Sequence, residues 1–298
     1  MGIALSMITK NSVSRIGPNV FRKVLLSSLQ VPYNLIILID DGNDNTKTIM
    51  REFADEYDKE IIITRSPFRK STRALARQTA IDIFLKNTSN EWIFFLDDDA
   101  LLRPGWWEIS KELMKDPAVG EIWGINWDLD KRRKEYVELL GDSYREYLIR
   151  AFQIRGGTHD TLYRREAIKD AVIPYWLHVY EDAWLHHYVN CKGWKIAINE
   201  IGIVHLNSPI GSGFLNDVNK TIIKYRLLLK YKIDTDEKIE IKIKNSQAIR
   251  LRYSISWYGM LYGTLRYTIY LLYSPVRRIL YMLSRTNNLI DCKNILNR

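Results

Sequence analysis

"FFLDDDALLRPGWWE" (residues 94–108) poses the question that decides the fold. An apolar run, Trp92 to Leu96, enters three consecutive carboxylates, Asp97, Asp98 and Asp99. Two like charges about 4 Å apart repel by roughly 4 kcal/mol at an effective dielectric of about 20. A buried strand that delivers three of them to its end needs a positive partner there. A divalent cation arriving with a substrate diphosphate would supply one, because hard oxygen ligands suit Mg²⁺ or Mn²⁺.

The same pattern of an apolar run followed by a polar end recurs upstream. "IALSMI" (3–8), "NLIILID" (34–40) and "EIIIT" (60–64) read, like "EWIFFLD" (91–97), as strands buried on both faces. Between them, residues 18–30, 45–57 and 72–86 space their apolar residues for helices. Strand–helix alternation predicts an α/β fold with a mostly parallel, doubly wound sheet. Such sheets bind ligands beyond the C-terminal ends of their strands. Those ends carry Thr9 and Asn11, then "DDGNDN" (40–45), then the aspartate triplet.

Several side chains there have the chemistry for a nucleotide-binding enzyme. Asp97 and Asp99 form a D-x-D pair, with Asp98 turned away if the backbone stays extended. A solvated turn capping the next helix is the plainer alternative. Asp41 could accept a hydrogen bond from a nucleobase. Arg73 and Arg77 lie four apart near a helix start, where arginines grip phosphates or simply pair with surface acids. Glu181 and Asp182 open another helix in "VYEDAWLHHYV" (179–189), as a dipole feature or as a general base. His205 ends the run "IGIVHLN" (201–207) and could ligate a metal. His186 and His187 read as packing or surface residues.

Taken in order, these pieces resemble the GT-A glycosyltransferases, specifically the large, mostly inverting family 2. The resemblance spans about residues 3 to 207 through Thr9, "IDDGNDNT", "ALARQTAI", "FFLDDDALLRPGW", "GGTHDTLYRREAI", "YEDAWL" and "VHLN". It implies a Rossmann-like catalytic domain over 1–215, with a nucleotide half to about 105 and an acceptor half from about 106. Thr9 and Asp41 would line the base pocket of a UDP- or GDP-sugar, with Arg73 or Arg77 near the phosphates. Asp98 would meet the ribose or sugar, and Asp97, Asp99 and His205 the Mn²⁺ or Mg²⁺. Gly156 and Gly157 would let the backbone approach the donor sugar and acceptor, and Glu181 would be a further donor-binding residue. Asp182 would be the catalytic base. Two departures matter. No Q-x-x-R-W motif follows His205, which argues against a processive synthase, and "GTHDT" (157–161) replaces smaller residues on the acceptor side.

The net charge of +9 is uneven. Residues 1–220 hold 29 basic and 30 acidic side chains, whereas 221–298 hold 15 and 5. After a helix and charged connector (216–248), residues 249–298 form a basic, aromatic tail. Its stretch 250–285 is expected as amphipathic helix lying in a membrane surface rather than spanning it. High Leu and Ile content there favours lipid over nucleic acid. These readings predict a peripheral protein of the cytoplasmic membrane face with a lipid-linked acceptor, and leave self-association open. Two cysteines far apart in sequence, Cys191 and Cys292, suggest neither a disulfide nor a zinc site and suit a reducing interior. The start "MGIALSMITKN" reads as a first strand, not a signal peptide. A metal-dependent nucleotidyltransferase is the enzymatic rival, although "ITKNSVSRIGPN" is not a Gly-rich phosphate loop. A non-catalytic membrane or nucleic-acid binding protein is the rival of another class.

Overall fold

The four apolar runs become strands: β1 (Ile3–Thr9), β2 (Leu35–Asp40), β3 (Glu60–Thr64) and β4 (Trp92–Leu96). The computed structural model describes residues 2–67, 71–127, 144–206, 214–233 and 290–297. Helices α1 (Ser12–Ile16) and α2 (Pro18–Ser28) separate β1 from β2, α3 (Thr46–Glu56) precedes β3, and α4 (Arg73–Asn87) precedes β4. Thr72 caps α4 by accepting the Leu75 N–H, and Pro18 occupies the first turn of α2, where it has no hydrogen bond to lose. The chain continues through β5 (Ala100–Leu102), α5 (Trp106–Leu113), β6 (Val119–Asn126), α6 (Tyr144–Arg155), β7 (Asp160–Arg164) and α7 (Arg165–Ile168). It closes with α8 (Glu181–Cys191), β8 (Lys195–His205), α9 (Phe214–Tyr231) and α10 (Cys292–Leu296).

One eight-stranded sheet results, in the order β3-β2-β1-β4-β7-β6-β8-β5. Strands β3, β2, β1 and β4 are mutually parallel, as the alternating pattern predicts. Beyond β4 the sheet is mixed. β7 runs antiparallel to both β4 and β6, β6 is parallel to β8, and β5 is antiparallel to β8. Parallel pairing thus runs through the part expected to bind a nucleotide, while the rest of the sheet is mixed. Apolar runs buried on both faces look alike in either direction, so the reversal left no mark in the sequence.

Side-chain alternation splits the core into two layers. Leu35, Ile37 and Ile39 pack with α4, α8 and α9 on one face. Ile36 and Leu38 pack with α2, α3 and α5 on the other. The first layer includes Ile223, Leu227 and Tyr231 of α9 and Ile295 of α10, so the described C-terminal residues share this core. The tail expected over 250–285 lies outside the described residues. Among the described residues no helix is long and apolar enough to cross a membrane.

The reading of the cysteines is corrected. Cys191, ending α8, is disulfide-bonded to Cys292, which opens α10, with Cα atoms 5.2 Å apart across a sequence separation of 101. Distance along the chain was a poor guide because α10 folds back onto α8.

Candidate functional site

The C-terminal ends of the parallel strands β1, β2 and β4 lie side by side, and the expected residues can be followed from there. Thr9 is buried and donates its hydroxyl to Asp40 Oδ1 at 2.9 Å. Asp40 also accepts the Gly42 N–H and faces Lys47 Nζ at 3.4 Å. Asp41 accepts from the Ser66 N–H (2.8 Å) and hydroxyl (2.6 Å), which ties the β2 end to the segment after β3. Asn11 adopts a left-handed conformation (φ 54°) and accepts the Asn43 N–H at 2.8 Å. These bonds hold the loop that would face a nucleobase.

The aspartate triplet has a protein partner after all. Asp98, buried, is bonded by the Ser12 hydroxyl and by the Arg15 guanidinium, whose Nη2 lies 2.5 Å from Oδ2. Arg15 Nη1 also stands 3.6 Å from Asp99 Oδ2. Both partners come from α1, a five-residue helix too short to register as a periodic pattern. The only sequence signal was a polar segment, "TKNSVSR", at a strand end. Asp97 faces the other way. Burial pushes its carboxyl up to about 6, against the opposing pull of Arg77, Arg73 and His159, and Asp99 adds a smaller upward push.

The two arginines of α4 have separate fates. Arg77 is buried, pairs with Glu181 Oε1 at 3.3 Å and lies over the Phe95 ring at 4.7 Å. It therefore braces the floor of the cleft rather than its phosphate side, and Glu181 is spent on it. Burial and the neighbouring Asp182 raise the Glu181 pKa, while Arg77 and Arg73 oppose them. Arg73 stays exposed and looks onto the acids. Glu181 does most to favour its charged form, burial opposes this, and Asp97, Asp182 and Asp98 act further off. Asp182 occupies the first turn of α8, where the helix dipole favours a negative charge, and accepts the Ala183 N–H at 2.9 Å.

Gly156 and Gly157 form the turn opposite. Gly156 has φ +67°, and a Cβ there would sit 2.7 Å from the His186 Cβ and 3.1 Å from the Asp182 carbonyl oxygen. A Cβ on Gly157 would lie 2.7 Å from Trp123 Nε1. Close approach to α8 thus requires glycine at 156, and close approach to Trp123 of β6 requires it at 157. Beneath the turn lies a polar network that sequence reading missed. Asp160, fully buried, holds His159 Nδ1 at 2.5 Å and accepts the Trp106 indole N–H at 2.7 Å. Trp123 Nε1 donates to His159 Nε2 at 3.1 Å, which leaves the proton of the neutral ring on Nδ1. Burial disfavours charge on His159, but Asp160, then Asp97 and Asp182, raise its pKa overall; the protonated ring would have to give up the Trp123 bond. The network needs Gly124, because a Cβ there would fall 1.8 Å from Asp160 Oδ2. His186, expected as a packing residue, is buried against Glu121, with Nδ1 3.1 Å from Oε1.

His205 ends β8 directly across from Ala100, and the Leu206 N–H donates to the Asp99 carbonyl at 2.9 Å. Asp99 and His205 are therefore neighbours by register, and the His159 ring stands edge-on to His205 at 5.5 Å. Among the described residues no three His, Cys, Asp or Glu side chains converge as a metal cage. The expected Asp97–Asp99–His205 triad is thus not assembled. Asp99 and His205 still offer an oxygen and an imidazole at the cleft. That partial set fits an ion held by few protein ligands plus substrate phosphates.

Comparison with known proteins agrees with this architecture. The profile described as glycosyl transferase family 2 matches residues 7–171, more than half of the chain. Over 100 residues the chain is 30% identical to the poly(ribitol-phosphate) beta-glucosyltransferase of Bacillus spizizenii, which covers 32% of this chain but only 15% of that protein. Mannosyltransferase PcManGT from Pyrobaculum calidifontis, solved with GDP-Man and Mn²⁺, has a TM-score of 0.51 at 15% identity, over 70% of this chain and 58% of its own. S. aureus TarS 1-349 with UDP-GlcNAc gives 0.53 at 15% identity, over 76% and 67%. At such identity the structural likeness is one of fold, and that fold is GT-A. On its sequence profile, the chain belongs to glycosyltransferase family 2.

Proposed function

We propose that the protein is an inverting glycosyltransferase that moves a sugar from a UDP- or GDP-sugar to an acceptor hydroxyl, on a lipid-linked molecule at a membrane surface. The observation that carries this reading is the state of Asp182. It stands in the cleft at a helix N-terminus, met by a backbone N–H and by no ion pair from a described residue, while Asp40, Asp98 and Glu181 are each engaged by a cation. A general base must be free in this way.

Asp182 takes the proton of the acceptor hydroxyl as its oxygen attacks the anomeric carbon from the face opposite the phosphate. The new C–O bond forms as the old one breaks, its electron pair leaves with the nucleoside diphosphate, and the configuration inverts. Thr9 and the Asp41–Ser66 corner border the base, and Arg73 faces the charge that grows on the leaving group. Asp99 and His205 would hold a Mn²⁺ or Mg²⁺ ion, which supplies positive charge to the diphosphate when bound. PcManGT, with Mn²⁺ in its complex, and TarS, with UDP-GlcNAc in its complex, support the choice of cofactor and donor class.

The test is a thermal-shift series with UDP- and GDP-sugars, with and without Mn²⁺, followed by turnover of the stabilising donor. No stabilisation by any nucleotide sugar would sink the reading. The proposed location is the cytoplasmic membrane face. The bonded Cys191–Cys292 pair is the one feature at odds with a reducing compartment.

A further inference from the structure

Seven large hydrophobic side chains are exposed among the described residues, and four of them lie on α9 and on the loop before α8. Ile222 (58% exposed) and Leu229 (48%) lie two turns apart on the outer side of α9. Val172 (54%) and Tyr175 (72%) project from the loop before α8. Arg226, on the same side of α9, joins the two pieces with its guanidinium 4.0 Å over the Trp176 ring. From Asn219 to Ile233 the chain has five basic residues and no acidic one.

Two further relations give the surface a direction. The described chain leaves at Ile233 and resumes at Ile290, and the Asp291 N–H donates to the Tyr231 carbonyl at 3.1 Å. The intervening residues, without an acid from 241 to 290, therefore depart from and return to the C-terminal end of α9. On the other side, the Thr72 hydroxyl bonds the Tyr175 carbonyl at 3.3 Å, one residue before Arg73 of the cleft. Trp176 is only five residues ahead of Glu181, a reach of at most about 17 Å. The surface thus borders the acceptor side of the site.

We propose that Val172, Tyr175 and Trp176, with Ile222, Arg226 and Leu229 of α9, form a docking surface for an anionic lipid bilayer. Exposed aliphatic side chains ringed by basic and aromatic residues match the interface of such a membrane. The five basic residues and absence of acids from Asn219 to Ile233 complement an anionic headgroup layer. The inference deepens the proposed function. Docked here, the enzyme turns the Asp182 side of its cleft toward lipid, where a membrane-borne acceptor presents its hydroxyl.

Flotation of the full-length protein with phosphatidylcholine vesicles, with and without phosphatidylglycerol, tests it. Wild type is expected to float with the phosphatidylglycerol vesicles only. Ile222→Ser/Leu229→Ser and Arg226→Gln/Lys230→Gln are each expected to lower the partition coefficient about tenfold, with melting temperature and donor affinity unchanged. Arg277→Gln/Arg278→Gln, in the sequence of the basic tail, separates the two readings. Loss of flotation in that variant alone overturns the α9 surface and leaves membrane association standing, whereas a wild type that never floats overturns both. A dimer by light scattering that the α9 variants dissociate, without loss of flotation, identifies a second copy as the occupant and overturns the proposal. So does a large fall in melting temperature for Ile222→Ser/Leu229→Ser, which would mean that the chain's own residues 234–289 cover the face.

Discussion

Arg15 and Asp98, 83 residues apart in sequence, form an ion pair that ties α1 to the end of β4. Asp98 is buried, but the side chain that pairs with it is 44% exposed. Exposure weakens such a pair, so Arg15→Gln is expected to destabilise the nucleotide-free protein by only about 1 kcal/mol, or roughly 2 °C for a chain of this size. The more telling effect concerns Asp99, which Arg15 approaches at 3.6 Å. A cation that replaces Arg15 there should stabilise Arg15→Gln more than wild type. Melts with UDP and increasing Mn²⁺ would show this, and equal shifts in both proteins would rule the competition out.

Asp182→Asn keeps the shape of the side chain and its bond from Ala183 but removes the base. Turnover is expected to fall by about 10²- to 10⁴-fold, with donor affinity within about twofold of wild type. Asp99→Asn should do the reverse, weakening Mn²⁺-dependent donor binding first. Calorimetric titration beside initial rates separates the two. If Asp182→Asn turned over normally, the assignment of the base would be wrong.

His186 gives a dependence on pH. Burial disfavours its charge, but Glu121, helped by the Gln153 backbone and by Asp182, raises its pKa above the ordinary 6.5. A raised histidine contributes stability that is complete below about pH 6.5 and is lost as pH climbs through the folded-state value. Wild type should therefore exceed His186→Gln in stability most at pH 6, with the gap narrowing toward pH 9. Denaturant midpoints at unit pH intervals measure it. A gap that widened with pH would contradict the ion pair.

Much of this could be read from the sequence because each signal was local. Continuous apolar runs marked β1 to β4, helical spacing of apolar residues marked α2, α3 and α4, and the Asp triplet marked a strand end. What escaped was decided by tertiary pairing. Arg73 and Arg77 look equivalent on a helix, yet only the fold puts Glu181 against Arg77 and leaves Arg73 facing the acids. The His159–Asp160 network depends on Trp106 and Trp123 arriving from α5 and β6, and on a glycine at 124 that makes room. Arg15 sits on a five-residue helix, too short to show a repeating apolar pattern.

The Cys191–Cys292 bond binds the far end of the helix that carries Asp182 to the end of the chain. Beside it, Ile295 is buried and Asn294 Nδ2 donates to the Lys230 carbonyl at 3.2 Å, so α10 has its own packing against α8 and α9. A loop of this length is stabilised by about 2–4 kcal/mol when closed. Oxidised protein is accordingly expected to melt several degrees above the reduced form or Cys292→Ser. Because α10 also packs through Ile295, the reduced enzyme should keep its donor affinity, and a loss of donor binding on reduction would mean that the bond positions Glu181 and Asp182 directly. The same pair reports location. At a cytoplasmic face, rapid alkylation of intact cells followed by mass spectrometry should find both cysteines as thiols. Recovery of the bonded peptide would instead place the chain in an oxidising compartment.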